Sequence, residues 1–387
     1  MTAAGIWADI RGQEPVVAQL QQAALATVPG HAWLITGPPG SGRSNAARAF
    51  AAALNCEEPD PEARGCGRCR SCLTILAGNH PDVTFVETDK TTISIDEARE
   101  LVTKAQDRPV SARWRVIIVG DADRMTERTT NVLLKAIEEP PPRTLWILCA
   151  PSPADVLVTI RSRCCAVGLR VPPAEAVADL LVQRDGIDPV LALSSARAAQ
   201  SHIGVARRLA RDEAARERRD SIVRLPLRLN RVPEAVRAAG ALVELASAEA
   251  AASNAERDAA EKEELLRTLG APEQGTLPPA IRSQLKRLEE DQKRRAKRSV
   301  TDGLDRALTD LLSFYRDALL LQFSAGQVTE QQLVNTALRP ELEEFARQST
   351  PERNLERLET ITEMRRRLLG SNAAPLLAIE AMAVSLV

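Results

Sequence analysis

Aromatic side chains are scarce in this chain: 4 Trp, 1 Tyr and 5 Phe make up 3% of its 387 residues. Hydrophobic cores must therefore be built from Ala, Leu, Val and Ile. Net charge is nearly absent too, because 51 Lys and Arg almost cancel 52 Asp and Glu. That balance excludes a global attraction to nucleic acid or to a membrane, so any such surface has to be local. No apolar run reaches the roughly 18 residues that a membrane span needs. The stretch Met1–Asp9 has no basic region followed by an apolar one, so a signal peptide is not expected and the default compartment is the cytoplasm. Seven cysteines are too few, in a chain this long, for a disulfide scaffold. What remains is an ordinary globular balance, 44% apolar and 27% charged, with length for two or three domains at about 100–200 residues each.

Short apolar runs alternate with helical patterns in the first half. Strands are expected at Ala32–Thr36, Val83–Val86, Val116–Val119, Leu145–Leu148 and Cys165–Leu169, each bounded by turn or charged residues. Helices are expected at Asn45–Leu54, Ile95–Ala105 and Glu127–Glu138, the last stopped by Pro140-Pro141-Pro142. This alternation implies a doubly wound α/β domain with a parallel sheet over about residues 1–170. Beyond Pro172-Pro173 strand signals disappear. Residues 174–213 read as short helices broken near Gly186–Pro189, and the remainder is helical. Within it, Ser247–Ser299 reads as an insertion: two helical arms around a mobile Gly/Pro turn, with a basic run at Lys293–Arg298.

Gly37-Pro38-Pro39-Gly40-Ser41-Gly42-Arg43-Ser44 lies between an expected strand and an expected helix, which is the setting of a phosphate-binding loop. Gly37, Gly40 and Gly42 let backbone N–H groups curl around phosphate oxygens, and the helix N-terminus adds partial positive charge. Ser44 would ligate Mg²⁺. Position 43 calls for a compact lysine ammonium and holds instead the planar, bulkier guanidinium of Arg43. Two readings stand here: a weakened pocket for ATP and Mg²⁺, or a loop that has kept its shape after losing its ligand. The strand Val116–Val119 ends at Gly120-Asp121-Ala122-Asp123, where Asp121 would assist Mg²⁺. The next residue, Ala122, can neither accept a proton nor orient water. Together Arg43 and Ala122 imply that this chain is not an ATPase by itself.

Cys56, Cys66, Cys69 and Cys72 contain two consecutive C-x₂-C steps and suit a closed tetrahedral site for structural zinc. Arg64, Arg68 and Arg70 are expected to favour the thiolates. Cys149, Cys164 and Cys165 read as small core residues. Arg163, in Ser162-Arg163-Cys164, is a candidate arginine finger for a neighbour's nucleotide; Arg207 could reach phosphate from the helical segment; a solvated surface arginine is the plainer alternative for each.

Taken in order, Asp9–Glu14, the phosphate loop, the four-Cys module, Asn131-Val132-Leu133-Leu134-Lys135-Ala136-Ile137-Glu138-Glu139-Pro140-Pro141 and Ser162-Arg163-Cys164 resemble the bacterial clamp-loader AAA+ proteins. That group contains the gamma/tau motor and delta-prime stator subunits of DNA polymerase III. The resemblance covers about residues 5–210 and is weaker beyond, apart from Asn372–Val387. It implies a RecA-like AAA+ domain at 1–171 with its zinc module at 55–73. It further implies a small helical lid at 172–213 and a helical collar at 214–387, carrying the charged insertion at about 247–299. The motor subunits carry Lys and Asp-Glu where this chain has Arg43 and Ala122, and their sensor position falls here in Ala150-Pro151-Ser152. These departures resemble the stator type, in which Arg163 would act in trans and Arg207 would be a second sensor. The implied partners are gamma/tau and delta subunits in a hetero-pentamer, the sliding clamp, and primed DNA held through basic residues, with Arg124 and Arg128 as weak candidates. An ATP-hydrolysing gamma/tau-type motor and a zinc-dependent binding module without phosphate chemistry are the alternatives.

Overall fold

The computed structural model describes residues 5–88, 92–268, 278–324, 328–329, 332–370 and 374–387. The chain divides into two compact units, Met1–Arg211 and Asp212–Val387.

Five strands form the sheet of the first unit: β1 (Ala32–Thr36), β2 (Val83–Val86), β3 (Arg115–Val119), β4 (Thr144–Ala150) and β5 (Cys165–Gly168). Their order is β2-β3-β4-β1-β5 and every adjacent pair is parallel. β1, β3 and β4 are buried along their whole length, which is why they read as continuous apolar runs. Successive side chains alternate between faces. Trp33, Ile35, Val116, Ile118, Leu145 and Ile147 pack under α1 (Glu14–Leu25), α2 (Arg43–Leu54) and α3 (Arg70–Leu76). Leu34, Ile117, Val119, Trp146 and Leu148 pack under α4 (Ile95–Gln106), α5 (Glu127–Glu138) and α6 (Val158–Arg161). One expectation fails at the sheet edge. Cys149 is buried as expected, but Cys165 is exposed and Cys164 half-buried, because β5 is an edge strand with only Val167 covered.

Asp82, at the entrance to β2, is fully buried. It accepts hydrogen bonds from the N–H groups of Val110, Ser111 and Ala112 at 2.8–2.9 Å and pairs with Arg115 at 3.3 Å. That carboxylate fixes the loop entering β3. Three short helices follow: α7 (Ala174–Asp185), α8 (Pro189–Ala198) and α9 (Ile203–Arg211). The expected break between the first two is a left-handed Gly186 after α7 and an Asp188 cap, with Pro189 opening α8.

The second unit is helical: α10 (Glu213–Val223), α11 (Val232–Thr268), α12 (Pro279–Phe323), α13 (Arg339–Gln348), α14 (Pro351–Gly370) and α15 (Pro375–Leu386). Phe314, Tyr315 and Phe345 meet edge-to-face in its core. The two arms of the charged stretch belong to α11 and α12, which run on from the core of the second unit and lie antiparallel. Asn254 bonds Ser299, Gln292 bonds the Asp258 carbonyl, and Arg295 pairs with Asp258 and Glu261. The expected turn at 269–277 lies outside the described residues. No described helix is long and apolar enough to cross a membrane.

Candidate nucleotide and metal sites

The glycine-rich loop leaves β1 and opens α2. Gly42 caps that helix at φ 94°, and Gly40 has φ 80°, both in the left-handed region that favours glycine. Gly40 is held for a second reason: a Cβ there would stand 2.2 Å from the His202 ring. The Ile203 N–H also donates to the Gly40 carbonyl at 3.4 Å, so the start of α9 rests on the loop. A cavity of about 330 Å³ lies at this junction, lined by Gly40, Gly42, Arg43, Ser44, Arg184 and Arg207, with Asn45, Ile203 and Gly204. A helix N-terminus and three guanidinium groups give it anion-binding chemistry.

Within it, each motif residue already has a partner in the chain. Arg43 occupies the first turn of α2, where a cation opposes the helix dipole, and its Nη1 donates to the Gly37 carbonyl at 2.9 Å. The charge that a phosphate loop aims at its ligand is here turned back onto the loop's own backbone. The Ser44 hydroxyl donates to Glu87 Oε1 at 3.3 Å. Asp121 accepts the Thr88 N–H at 3.1 Å and pairs with Arg124 at 3.4 Å. Arg124 also donates to the Thr88 carbonyl at 2.6 Å, so it is a tether of the Asp121 turn rather than a solvated helix charge. Arg128 is exposed on α5. Ala122 is buried and has no group to offer water. At the expected sensor position, Ser152 Oγ accepts the Ala154 N–H at 3.2 Å and caps a local turn.

Arg207 reaches the cavity wall, but Asp185 binds it at 3.1 Å, together with Arg184 at 3.1 Å and Arg211 at 2.9 Å. Burial alone would raise the Asp185 carboxyl. The Arg184 hydrogen bond and the three surrounding guanidinium charges outweigh it and hold Asp185 below its ordinary range. Arg163 does not line the cavity. It lies just past α6, partly exposed, donating to the Thr159 carbonyl at 2.6 Å and paired with Glu138 at the end of α5. His202, Glu87 and Asp185 were not singled out by the sequence, because His202 and Glu87 meet residues distant in the chain and no local pattern marks Asp185.

The four cysteines converge, with all four sulfurs within 4.8 Å of one another. Cys56 Sγ lies 3.6 Å from Cys66 Sγ and 3.9 Å from Cys69 Sγ. Ligands about 2.3 Å from a tetrahedral zinc are about 3.8 Å apart, so the spacing fits such an ion. Cys69 caps α3: its Sγ accepts the Cys72 N–H at 3.4 Å, while the Cys69 N–H reaches Cys66 Sγ at 3.3 Å. Burial works to raise the Cys56 thiol, but backbone hydrogen bonds at Cys66, Glu58 and Gly65 bring it down to about 7. Burial pushes the Cys72 thiol up. The arginines expected to favour the thiolates are engaged elsewhere: Arg64 reaches the Ala24 carbonyl, and Arg68 pairs with Glu58. The cation against the cluster is Arg113, which donates to the Cys56 carbonyl at 2.6 Å. Arg113 lies 57 residues away in sequence, which hid it from any local reading.

Comparison with known proteins adds a family. Residues 12–173 match the family described as DNA polymerase III, delta subunit. DNA polymerase III subunit gamma/tau of Mycobacterium bovis is 38% identical over 178 residues, 46% of this chain and 31% of that protein. DNA polymerase III subunit delta' of Pseudomonas aeruginosa is 31% identical over 195 residues, 50% of this chain and 59% of that protein. The subunit delta' of Escherichia coli is 36% identical over 147 residues, covering 38% of this chain and 44% of that one. The chain therefore spans between about a third and three-fifths of the length of these relatives.

Proposed function

We propose that this chain, whose residues 12–173 match the family described as DNA polymerase III, delta subunit, is a clamp-loader stator of delta-prime type. It supports a ring of gamma/tau and delta subunits that places the sliding clamp on primed DNA. The observation that carries this reading is the Arg43 guanidinium bonded to the Gly37 carbonyl inside its own phosphate loop. With Asp121 tied to Arg124 and Ala122 inert, the pocket has an anion-binding shape but lacks a base. Arg163 is the arginine this chain lends: partly exposed and held by a carboxylate that a neighbour's phosphate can replace. Arg207 serves as the second sensor of a pocket that opens only if Asp185 gives it up. Cys56, Cys66, Cys69 and Cys72 hold a structural zinc, which cross-links the loop after α2 to α3 and leaves no position open for chemistry.

The test is reconstitution. The purified chain alone should release no phosphate from ATP above background. Mixed with gamma/tau-type and delta subunits it should support DNA-stimulated turnover. Arg163→Ala should lower that turnover by about tenfold or more without weakening assembly. The 38% identity to a gamma/tau subunit favours one other reading, an ATP-hydrolysing motor. Rapid hydrolysis by the lone chain, indifferent to Arg163→Ala, would establish that reading instead.

A further inference from the structure

The paired extensions of α11 and α12 carry charge that the hairpin does not use. Across the seam, acids of α11 are matched to bases of α12: Arg295 with Asp258 and Glu261, while Lys262 reverses the sense and meets Glu289 at 3.8 Å. On the outer side of α12 stand Arg282, Lys286 and Lys293, all exposed and without an ion pair among the described residues. At 100° per residue these three lie within about 40° of one another around the helix, and exposed Lys297 continues the row. Lys297 has an interaction of its own, so the unpaired row runs from Arg282 to Lys293 and, at a rise of 1.5 Å per residue, is about 16 Å long. Exposed Glu289 and Glu290 flank it, and Glu289 is turned to Lys262. Arg294, beside the row, is 59% exposed and meets Asp291 at only 3.6 Å.

We propose that this row is a docking surface for the phosphodiester backbone of a nucleic-acid duplex. A row of cations of this length spans about five base-pair steps at 3.4 Å each. No aromatic residue occurs in Pro279–Ser299, so the row offers no platform for unstacked bases, which single-strand binders need. The helix supplies charge in fixed register and no base-edge readers, so binding is electrostatic and indifferent to sequence. The surface is independent of the phosphate loop, the cysteine cluster and Arg163.

The experiment uses the full chain and a fluorescein-labelled 20-base-pair duplex of mixed sequence, titrated by anisotropy from 50 to 200 mM salt. The triple variant Arg282→Glu/Lys286→Glu/Lys293→Glu should bind at least tenfold more weakly at 50 mM. Its slope of log affinity on log salt should be shallower by about 2.7, at 0.9 per phosphate contact. The neutral variant Arg282→Gln/Lys286→Gln/Lys293→Gln should fall between, and both should keep the helix content of the parent by circular dichroism. Unchanged affinity and slope would overturn the proposal. So would preference for a poly-glutamate peptide over duplex, which would reassign the row to an acidic protein. A concentration-dependent dimer lost in the triple variant, with duplex affinity intact, would reassign it to a second copy of this chain.

Discussion

Arg43 shows how one substitution changes a site without changing its shape. The backbone of the loop is intact, with Gly40 and Gly42 in their left-handed conformations and the cavity still open beside them. What changed is where the cation points. A guanidinium at the first turn of α2 is long enough and flat enough to return to the Gly37 carbonyl, 2.9 Å away. A lysine ammonium is a compact point charge without that fork. Arg43→Lys should therefore bind a fluorescent ATP analogue with Mg²⁺ about tenfold more tightly than the parent, a gain of about 1.4 kcal/mol. Turnover should stay at background, because Ala122 still provides no base. Parent and variant binding alike would show that Arg43 is not what weakens the pocket, and a variant that hydrolyses ATP would show that Ala122 is not what prevents turnover. Arg43 and Ala122 were both legible in the sequence, because motifs fix which residue type each position wants. The present partners of the site residues were not: the Gly37 carbonyl for Arg43, Arg124 for Asp121 and Glu138 for Arg163 are set by how loops close, which no motif states.

Among the elements, the cysteine loop is the one most dependent on something outside the covalent chain. Its second cysteine pair lies on a helix of only seven residues, α3, too short to be stable on its own. Cys69 is both the cap of that helix and a sulfur of the cluster, so metal and helix stand or fall together. Cys69→Ser should release the zinc, measured by metal analysis of the purified chain. Losing the metal should also destabilise the first unit by about 3 kcal/mol or more, read as a drop in urea midpoint. A parent protein without zinc, or a variant of unchanged midpoint, would refute the assignment. The strands around this loop were readable because β1, β3 and β4 are buried on both faces and leave unbroken apolar runs. Exposed Cys165 was misjudged for the converse reason. Membership of an edge strand depends on strand order, and strand order is not written in local hydrophobicity. The arms of α11 and α12 were readable as helices. Their continuity with the helices of the second unit's core was not, because the polar seam that joins them has no apolar period to follow.

At the scale of the whole chain, each unit has its own core and a carboxylate shifted by its surroundings, and the two carboxylates titrate in opposite senses. In the first unit, burial would raise Asp82, but hydrogen bonds from Val110, Ser111 and Ala112 outweigh it and lower the group to about 2. Its folded pKa lies below its unfolded value of about 3.9, so its contribution is complete above pH 4 and is lost as pH falls toward 2. In the second unit, burial raises Asp310 to about 6 despite Arg219 at 2.9 Å. There the folded state holds its proton more firmly than the unfolded chain. Its stabilising effect is complete below about pH 4 and disappears as pH rises through 6. Scanning calorimetry should therefore resolve two transitions with different pH responses. Between pH 7 and pH 5 the transition of the second unit should move up by the equivalent of about 1–2 kcal/mol, and that of the first should hardly move on account of Asp82. Below pH 4 the transition of the first unit should fall. Asp310→Asn should shrink the rise, the remainder coming from Asp317, which burial also raises, and Asp82→Asn should lower only the first transition, by about 3 kcal/mol, since it leaves Arg115 without its buried partner. A single transition that shifts equally for both variants would mean that the units fold as one.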